Sequence, residues 1–222
     1  MKQTTINCIK NEFQKLNINI HSFSNVNIIL VIIASFIGSI GLLTNNYQTV
    51  IASKIIGLAL IPFISLSIII LTGDIKLISN SLGKCILIVL LCLIVGIIIG
   101  IINSYNNYVT EPTSEMMSRA NFKYNEFGLE LLVLFLAGVG IYYSIIKTSI
   151  IAFIGLVLVV SIIPPICNAG LLYGMSLNNY IQNNLEKHNT YITYANSSFM
   201  LFVVDITGVF LGFLSAFIFN CI

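Results

Sequence analysis

Charged residues are scarce in this sequence of 222 residues, at 8% of the chain against 57% hydrophobic residues. A soluble globular chain carries roughly 25% charged residues, because water must solvate its surface. The shortage excludes a mainly water-facing surface and predicts that the outside of the fold contacts a lipid bilayer. The formal net charge of +2 is too small to indicate nucleic acid as a partner.

The sequence also lacks the motifs of common enzymes and metal sites. It contains no HExxH, no GxSxG and no glycine-rich phosphate loop. His21 and His188 lie in polar segments, and neither has cysteines at metal-ligand spacing. We therefore predict that the chain is not an enzyme and that it uses no metal, cofactor or disulfide framework. The cysteines, none of them in a CxxC pair, are Cys8, Cys85, Cys92, Cys167 and Cys221.

The N-terminal segment, residues 1–25, is polar and lacks the apolar stretch of a cleavable signal peptide. Apolar residues recur there at helical spacing, as at Ile6, Ile9 and Phe13. This pattern favours an amphipathic helix on the cytoplasmic membrane surface. A poorly ordered tail is the alternative, because Asn17 and Asn19 interrupt the pattern.

The rest of the chain, residues 26–222, predicts a single transmembrane domain of the all-α class. A bilayer core of about 30 Å takes about 20 apolar residues of helix to cross. Lipid also requires that all backbone groups be bonded internally, and the apolar runs show no strand-like alternation. We predict about six transmembrane helices, at 26–43, 49–72, 85–103, 128–146, 149–172 and 198–219.

Cations in the connecting segments predict the orientation, because they concentrate on the cytoplasmic side. With both termini cytoplasmic, six cations lie inside and three outside, and 104–127 and 173–197 are outer segments. The small helical unit also predicts a homo-oligomer. The inner cations are Lys2, Lys10, Lys15, Lys76, Lys84 and Lys147, and the outer ones are Arg119, Lys123 and Lys187.

The second half of the chain weakly repeats the first. In each half a glycine is followed eight residues later by a threonine, and then by a proline that interrupts an apolar run. Three helices per half is an odd number, so the halves must enter the membrane in opposite directions, which predicts an inverted 3+3 repeat. The matching residues are Gly41, Thr49 and Pro62 in the first half and Gly140, Thr148, Pro164 and Pro165 in the second.

Paired helix interruptions at Pro62 and at Pro164 with Pro165 indicate a transporter-type site. A broken helix leaves N–H and C=O groups free to hold a ligand. The alternative is that these prolines only kink transmembrane helices. Asn168, just after the second interruption, would either cap the broken helix or contact a substrate.

Three ionisable residues, Lys54, Glu130 and Asp205, fall within the predicted membrane helices. Each such residue costs about 2.5–3.5 kcal/mol at the bilayer centre. In the predicted orientation all three lie in the outer half of the membrane, where Lys54 could neutralise a carboxylate. Lys54 could instead snorkel to the headgroups, and Glu130 could lie at the interface. Asp205 is the strongest candidate, as an ion-pair partner, a proton carrier or a cation ligand.

Small residues predict close helix packing. Gly96 and Gly100 form a GxxxG motif, and Gly208 and Gly212 share a helix face with Asp205. Glycines at such spacing let helix backbones approach each other in lipid.

Several short runs resemble the domain of unknown function 389 family, in order over about 28–219. The resemblance implies a membrane location and a multi-helix fold, and it supplies no activity. Family members tend to carry proline at the position of Leu58 and methionine at that of Lys54, and usually asparagine at that of Asp205. The resemblance thus implies that Lys54 and Asp205 form a compensating pair in this chain. The runs are Ile40 to Asn45, Gly73 with Asp74, Ser118 with Arg119, Ala137 to Gly140, Ile163 to Ile166 with Ala169 and Gly170, and Leu201 with Phe202.

Together these patterns predict a small transporter or channel-like protein for an ion or small solute. The alternative is a structural or interaction protein whose buried charges only specify helix packing.

Overall fold

The computed structural model describes residues 25–56, 59–72, 75–121, 127–147, 149–160 and 162–221. The amphipathic helix predicted within 1–25 therefore lies outside the described residues, apart from residue 25. Within the described residues the fold is helical and has no strand, which confirms the predicted all-α class. The helices are α1 (Asn25–Leu43), α2 (Tyr47–Ile56), α3 (Leu60–Thr72), α4 (Ile75–Asn106), α5 (Ser114–Ala120), α6 (Phe127–Ile146), α7 (Ile150–Val159), α8 (Ile163–Ile181) and α9 (Leu185–Cys221).

Apolar helices long enough to cross a membrane make this an integral membrane protein. Four stretches satisfy length and composition, and the bent pair α2 and α3 supplies a fifth. Residues Asn27–Leu43 of α1 form a shorter apolar helix. The four long stretches are Ile75–Asn106, Gly128–Ile146, Ile151–Ile181 and Leu185–Asn220.

Each predicted interruption lies between two helices, although Ile151–Ile181 also forms one of the candidate membrane stretches. The axes of α2 and α3 differ by 48°, and α7 ends at Val159 before α8 begins at Ile163. Pro62 lies in the first turn of α3, and Pro164 and Pro165 lie in the first turn of α8. A proline suits this place because the first N–H groups of a helix have no intrahelical acceptor. The prolines thus begin the second helix of each pair.

Helices α4 and α9 are longer than the apolar runs that predicted them. The predicted spans began at residues 85 and 198, whereas the helices begin at Ile75 and Leu185. The 32 residues of α4 extend about 48 Å at 1.5 Å per residue, which exceeds the hydrocarbon core. Hydropathy marks only the part of a helix that contacts lipid, so it missed these polar ends.

The segment 173–197, which the sequence predicts to lie on the outer side, is likewise mostly helix. Helix α8 continues to Ile181, and a tight turn leads directly into α9. Asn183 takes the left-handed conformation in this turn, with φ 59°, a region that asparagine tolerates better than most residues. The outer segment is therefore a helical hairpin.

Glycines bring α4 and α8 into backbone contact. A Cβ atom on Gly96 would lie 2.6 Å from the Cys167 carbonyl oxygen, and one on Gly100 would overlap the Leu171 carbonyl. Gly170 and Gly174 of α8 face these two glycines. The packing role predicted for the GxxxG motif of α4 is confirmed, and its partner glycines on α8 complete it.

A second close contact joins α9 to α6. A Cβ atom on Gly212 would overlap the Phe135 carbonyl, and one on Gly138 would overlap the Val209 carbonyl. Gly208 packs against Leu134 in the same interface. The small face predicted for α9 is therefore the surface that packs against α6.

Contacts within the two halves follow the same scheme. Helix α1 contacts α2 and α4, and α3 contacts α4. In the second half α6 contacts α7 and α9, and α8 contacts α9. Between the halves, α4 packs against α8, α9 against α3, and α2 against α7.

Candidate functional site

Lys54 joins the two helix interruptions. It lies in the last turn of α2, and its Nζ donates a hydrogen bond to the Leu158 carbonyl oxygen near the end of α7, at 3.2 Å. The last carbonyls of a helix have no intrahelical donor, so this oxygen is available. The ammonium thus faces the protein, whereas the snorkelling alternative would place it at the headgroups.

Asp205 is buried in the middle of α9, with 4% of its surface exposed. Within the described residues its Oδ2 atom is buried and has no hydrogen-bond partner. A buried polar atom without a partner carries a desolvation cost. The position therefore calls for a compensating charge or ligand.

A cavity of about 620 Å³ reaches Asp205. Helices α5, α6, α7 and α9 surround it, and Val159 at the end of α7 forms part of its wall. Its polar lining consists of Ser118, Arg119, Glu130 and Asp205, among aliphatic side chains. Two of the three predicted intramembrane charges, Glu130 and Asp205, are therefore brought to one cavity.

Arg119 and Glu115 add an ion pair beside this cavity. Arg119 is 9% exposed, and its Nη1 lies 2.9 Å from Glu115 Oε2, one helical turn earlier in α5. The same nitrogen also lies 3.0 Å from Ser118 Oγ. The sequence analysis placed Arg119 among the outer cations and did not anticipate its burial. The spacing of four residues between Glu115 and Arg119 was the available signal.

Lys54 and Asp205 interact electrostatically but do not touch. Lys54 interacts with Asp205, Arg119 and Glu115, and Asp205 also interacts with Glu130. Among the described residues no ion pair within 4.0 Å joins Lys54 to Asp205. The neutralising pair predicted from the sequence is thus a longer-range interaction. Among the described residues the group holds two cations and three anions.

Asn168 holds α5 in place. Its Nδ2 donates to the Met116 carbonyl oxygen at 2.9 Å and to Ser198 Oγ at 2.8 Å. Asn168 is fully buried, and its Oδ1 has no partner within the described residues. The N-cap residue of α8, Ile162, has no side-chain cap bond, so Asn168 does not cap the broken helix.

Thr113 provides a second attachment for α5. Its Oγ1 donates to the Leu42 carbonyl oxygen at 2.6 Å and accepts from the Met116 N–H at 3.3 Å. A threonine N-cap satisfies one of the free N–H groups at the start of a helix. Helix α5 is therefore fastened to α1 at its start and to α8 and α9 through Asn168.

The remaining predicted site residues lie away from the cavity. Pro62, Pro164, Pro165 and Asn168 are buried, and none of them is part of its described lining. The prolines lie in the first turns of the helices that follow the interruptions. Within the described residues no group of three or more His, Cys, Asp or Glu residues could hold a metal ion.

A family model for the Domain of unknown function (DUF389) matches residues 55–211. The chain belongs to this family. The DUF389 match includes the prolines of both interruptions, Glu130 and Asp205, and it begins one residue after Lys54. The predicted resemblance to this family is therefore confirmed. No curated protein and no solved structure matches the chain.

Proposed function

We propose that the chain is a small transporter or channel-like membrane protein for an ion or small solute. The observation that carries the proposal is the contact between Lys54 of one interrupted helix and the Leu158 carbonyl of the other, beside a polar cavity that reaches Asp205. Transporter sites are typically formed by broken helices whose ends face a shared cavity. The proposal includes no covalent chemistry.

The proposed architecture is six membrane crossings in an inverted 3+3 repeat. The matching contact schemes of the two halves support it, with α1 to α4 corresponding to α6 to α9 and α5 as the connector. Helices α2 with α3, and α7 with α8, each count as one interrupted crossing. The 17 apolar residues of Asn27–Leu43 lie at the short end of the roughly 17–25 residues that can span a bilayer.

The helix ends beside the cavity would supply the polar groups for a ligand. Carbonyls at the end of α7 lie there, and Lys54 already uses one of them. The start of α8 offers few donors, because Pro164 and Pro165 have no N–H group. Such ends carry partial charges that suit ions. The cytoplasmic position of both termini and a homo-oligomeric assembly stay predictions.

A structural role for the charges is the second candidate. The Arg119 to Glu115 pair and the Lys54 hydrogen bond favour it, because both engage cations in contacts that fix helix positions. In that case the charges would only specify helix packing, and Asp205 would bind no solute. Flux measurements separate the two candidates.

The test is a flux assay on the full chain in liposomes. Protons, sodium, potassium, chloride and a set of small metabolites are offered in turn, and Asp205→Asn is compared with Glu186→Gln. Glu186 is exposed at the start of α9, so its variant is a matched loss of one carboxylate away from the cavity. We expect flux that Asp205→Asn lowers and Glu186→Gln leaves unchanged. Absence of flux for every solute would reject the proposal.

A further inference from the structure

Burial makes the ionised carboxylate of Asp205 energetically costly. Its side chain is 4% exposed, its Oδ2 is buried without a hydrogen-bond partner in that part of the chain, and it lines the cavity. An isolated ionised carboxylate away from water is strongly unfavourable. A bound positive charge that enters through the cavity would compensate it.

The groups that surround Asp205 come from three helices. Lys54 acts on it from α2 and Glu130 from α6, and Arg119 of α5 lines the same cavity. Helices α3, α7 and α8, which complete the surroundings, contain no Asp, Glu, Lys, Arg or His. Among the described residues, Lys54 and Glu130 are the charged groups that act on Asp205.

Both cations of this group have other partners. The Lys54 ammonium donates to the Leu158 carbonyl oxygen, and the Arg119 guanidinium donates to Glu115. Neither is the direct partner of Asp205. Asp205 is therefore left without a bonded cation in the part of the chain that the structure describes, and it lies where the cavity gives access.

We propose that Asp205 binds one monovalent positive charge, a proton or an alkali-metal ion, and that Lys54 is the cation that competes with it. The inference rests on the proposed function, because it names the substrate class of the same site. Two carboxylates and the Ser118 hydroxyl are hard oxygen donors of the kind that such ions prefer. A divalent ion would add two positive charges close to the cations Lys54 and Arg119. An anion would face the two carboxylates of Glu130 and Asp205.

Binding is measured on the purified full chain in detergent micelles. Sodium or potassium chloride replaces N-methylglucamine chloride at constant ionic strength, and the unfolding midpoint is recorded, because a ligand of the folded state raises it. In parallel, infrared spectra across a pH series follow the C=O stretching band of a protonated carboxylic acid. The variants are Asp205→Asn, Lys54→Gln and the control Glu186→Gln.

An alkali-ion response that Asp205→Asn abolishes identifies a metal-ion site. A titrating carboxylic-acid band that Asp205→Asn removes identifies a proton site. Either result supports the inference when Glu186→Gln behaves as wild type. For an alkali ion, Lys54→Gln should lower the half-saturating concentration roughly tenfold, because it removes a nearby positive charge that repels the bound ion. If Asp205→Asn does not fold, the change in half-saturating concentration between wild type and Lys54→Gln decides the alkali-ion case. A difference in the titrating C=O stretching band between the same two proteins decides the proton case.

The inference is overturned if neither signal appears, if both persist unchanged in Asp205→Asn, or if the midpoint responds to the anion instead of the cation. An unchanged half-saturating concentration in Lys54→Gln removes the competing role of Lys54. Flux without a cation response at Asp205 rejects this inference and leaves the proposed function standing. A cation response without flux supports this inference and rejects the proposed function.

Discussion

The ammonium of Lys54 lies 3.2 Å from the carbonyl oxygen of Leu158, and this single hydrogen bond links the interrupted helix of one half to that of the other. Leu158 lies at the second-last position of α7, where carbonyls lack intrahelical donors. Lys54 thereby satisfies an exposed helix end while its charge stays within electrostatic range of Asp205.

A double-mutant cycle tests the coupling between Lys54 and Asp205. Removing one of two interacting buried charges leaves the other uncompensated, whereas removing both does not. Lys54→Met should lower the free energy of unfolding, because it leaves Asp205 less compensated. In the Asp205→Asn background the same substitution should cost at least about 1 kcal/mol less. Denaturant unfolding in micelles measures all four proteins, with Lys187→Met at an exposed position as the control. Strictly additive losses would show that the two charges act independently.

The glycine contact between α4 and α8 predicts a large effect of one methyl group. Gly100→Ala would place a Cβ against the Leu171 carbonyl, so we expect a loss of roughly 1–3 kcal/mol in unfolding free energy. Gly83→Ala is the matched control on the same helix, because nothing lies within 4 Å of its Cβ position. Unfolding midpoints in micelles compare the two. Equal effects would contradict the close contact.

Asn168→Ala should loosen α5. The substitution removes the donor to the Met116 carbonyl oxygen and to Ser198 Oγ, at a cost of about 1–3 kcal/mol for the buried acceptors left behind. Hydrogen exchange over residues 114–120 should accelerate. Asn189→Ala, at an exposed position of α9, serves as the control. Unchanged protection of α5 would mean that Thr113 alone holds it.

Replacing Lys54 and Asp205 together by leucine separates transport from packing. If the charges only specify packing, a matched apolar pair gives an assembled protein with wild-type flux. If Asp205 binds the solute, the double variant assembles and conducts nothing. Size-exclusion chromatography and the liposome assay give the two readouts, and a double variant with wild-type flux would decide for the packing role.

Local sequence signals predicted the helix interruptions and the small-residue contacts. Pro62 and Pro164 interrupt apolar runs, and a missing N–H group has the same effect in any tertiary setting. Gly96 and Gly100 could be recognised because their spacing alone puts both on one helix face. The sequence also singled out Glu130 and Asp205, because a carboxylate in an apolar run stands out.

Long-range contacts were beyond such signals. Arg119 lies in a polar segment, and nothing local indicates that α5 folds back so that its guanidinium becomes buried. Lys54 donates to the Leu158 carbonyl oxygen, 104 residues away. This contact depends on how the two halves pack. Apolar periodicity reports which residues avoid water, and it does not report which helices are neighbours.

The bond from Lys54 to Leu158 has a mechanical consequence. A shift that separates α2 from α7 must break this bond, and it would then expose a helix-end carbonyl and release an ammonium at the same moment. The hydrogen bond therefore couples the two interruptions, because moving either helix end alone breaks it. A single motion that changes both together is the simplest way for this fold to exchange one arrangement for another.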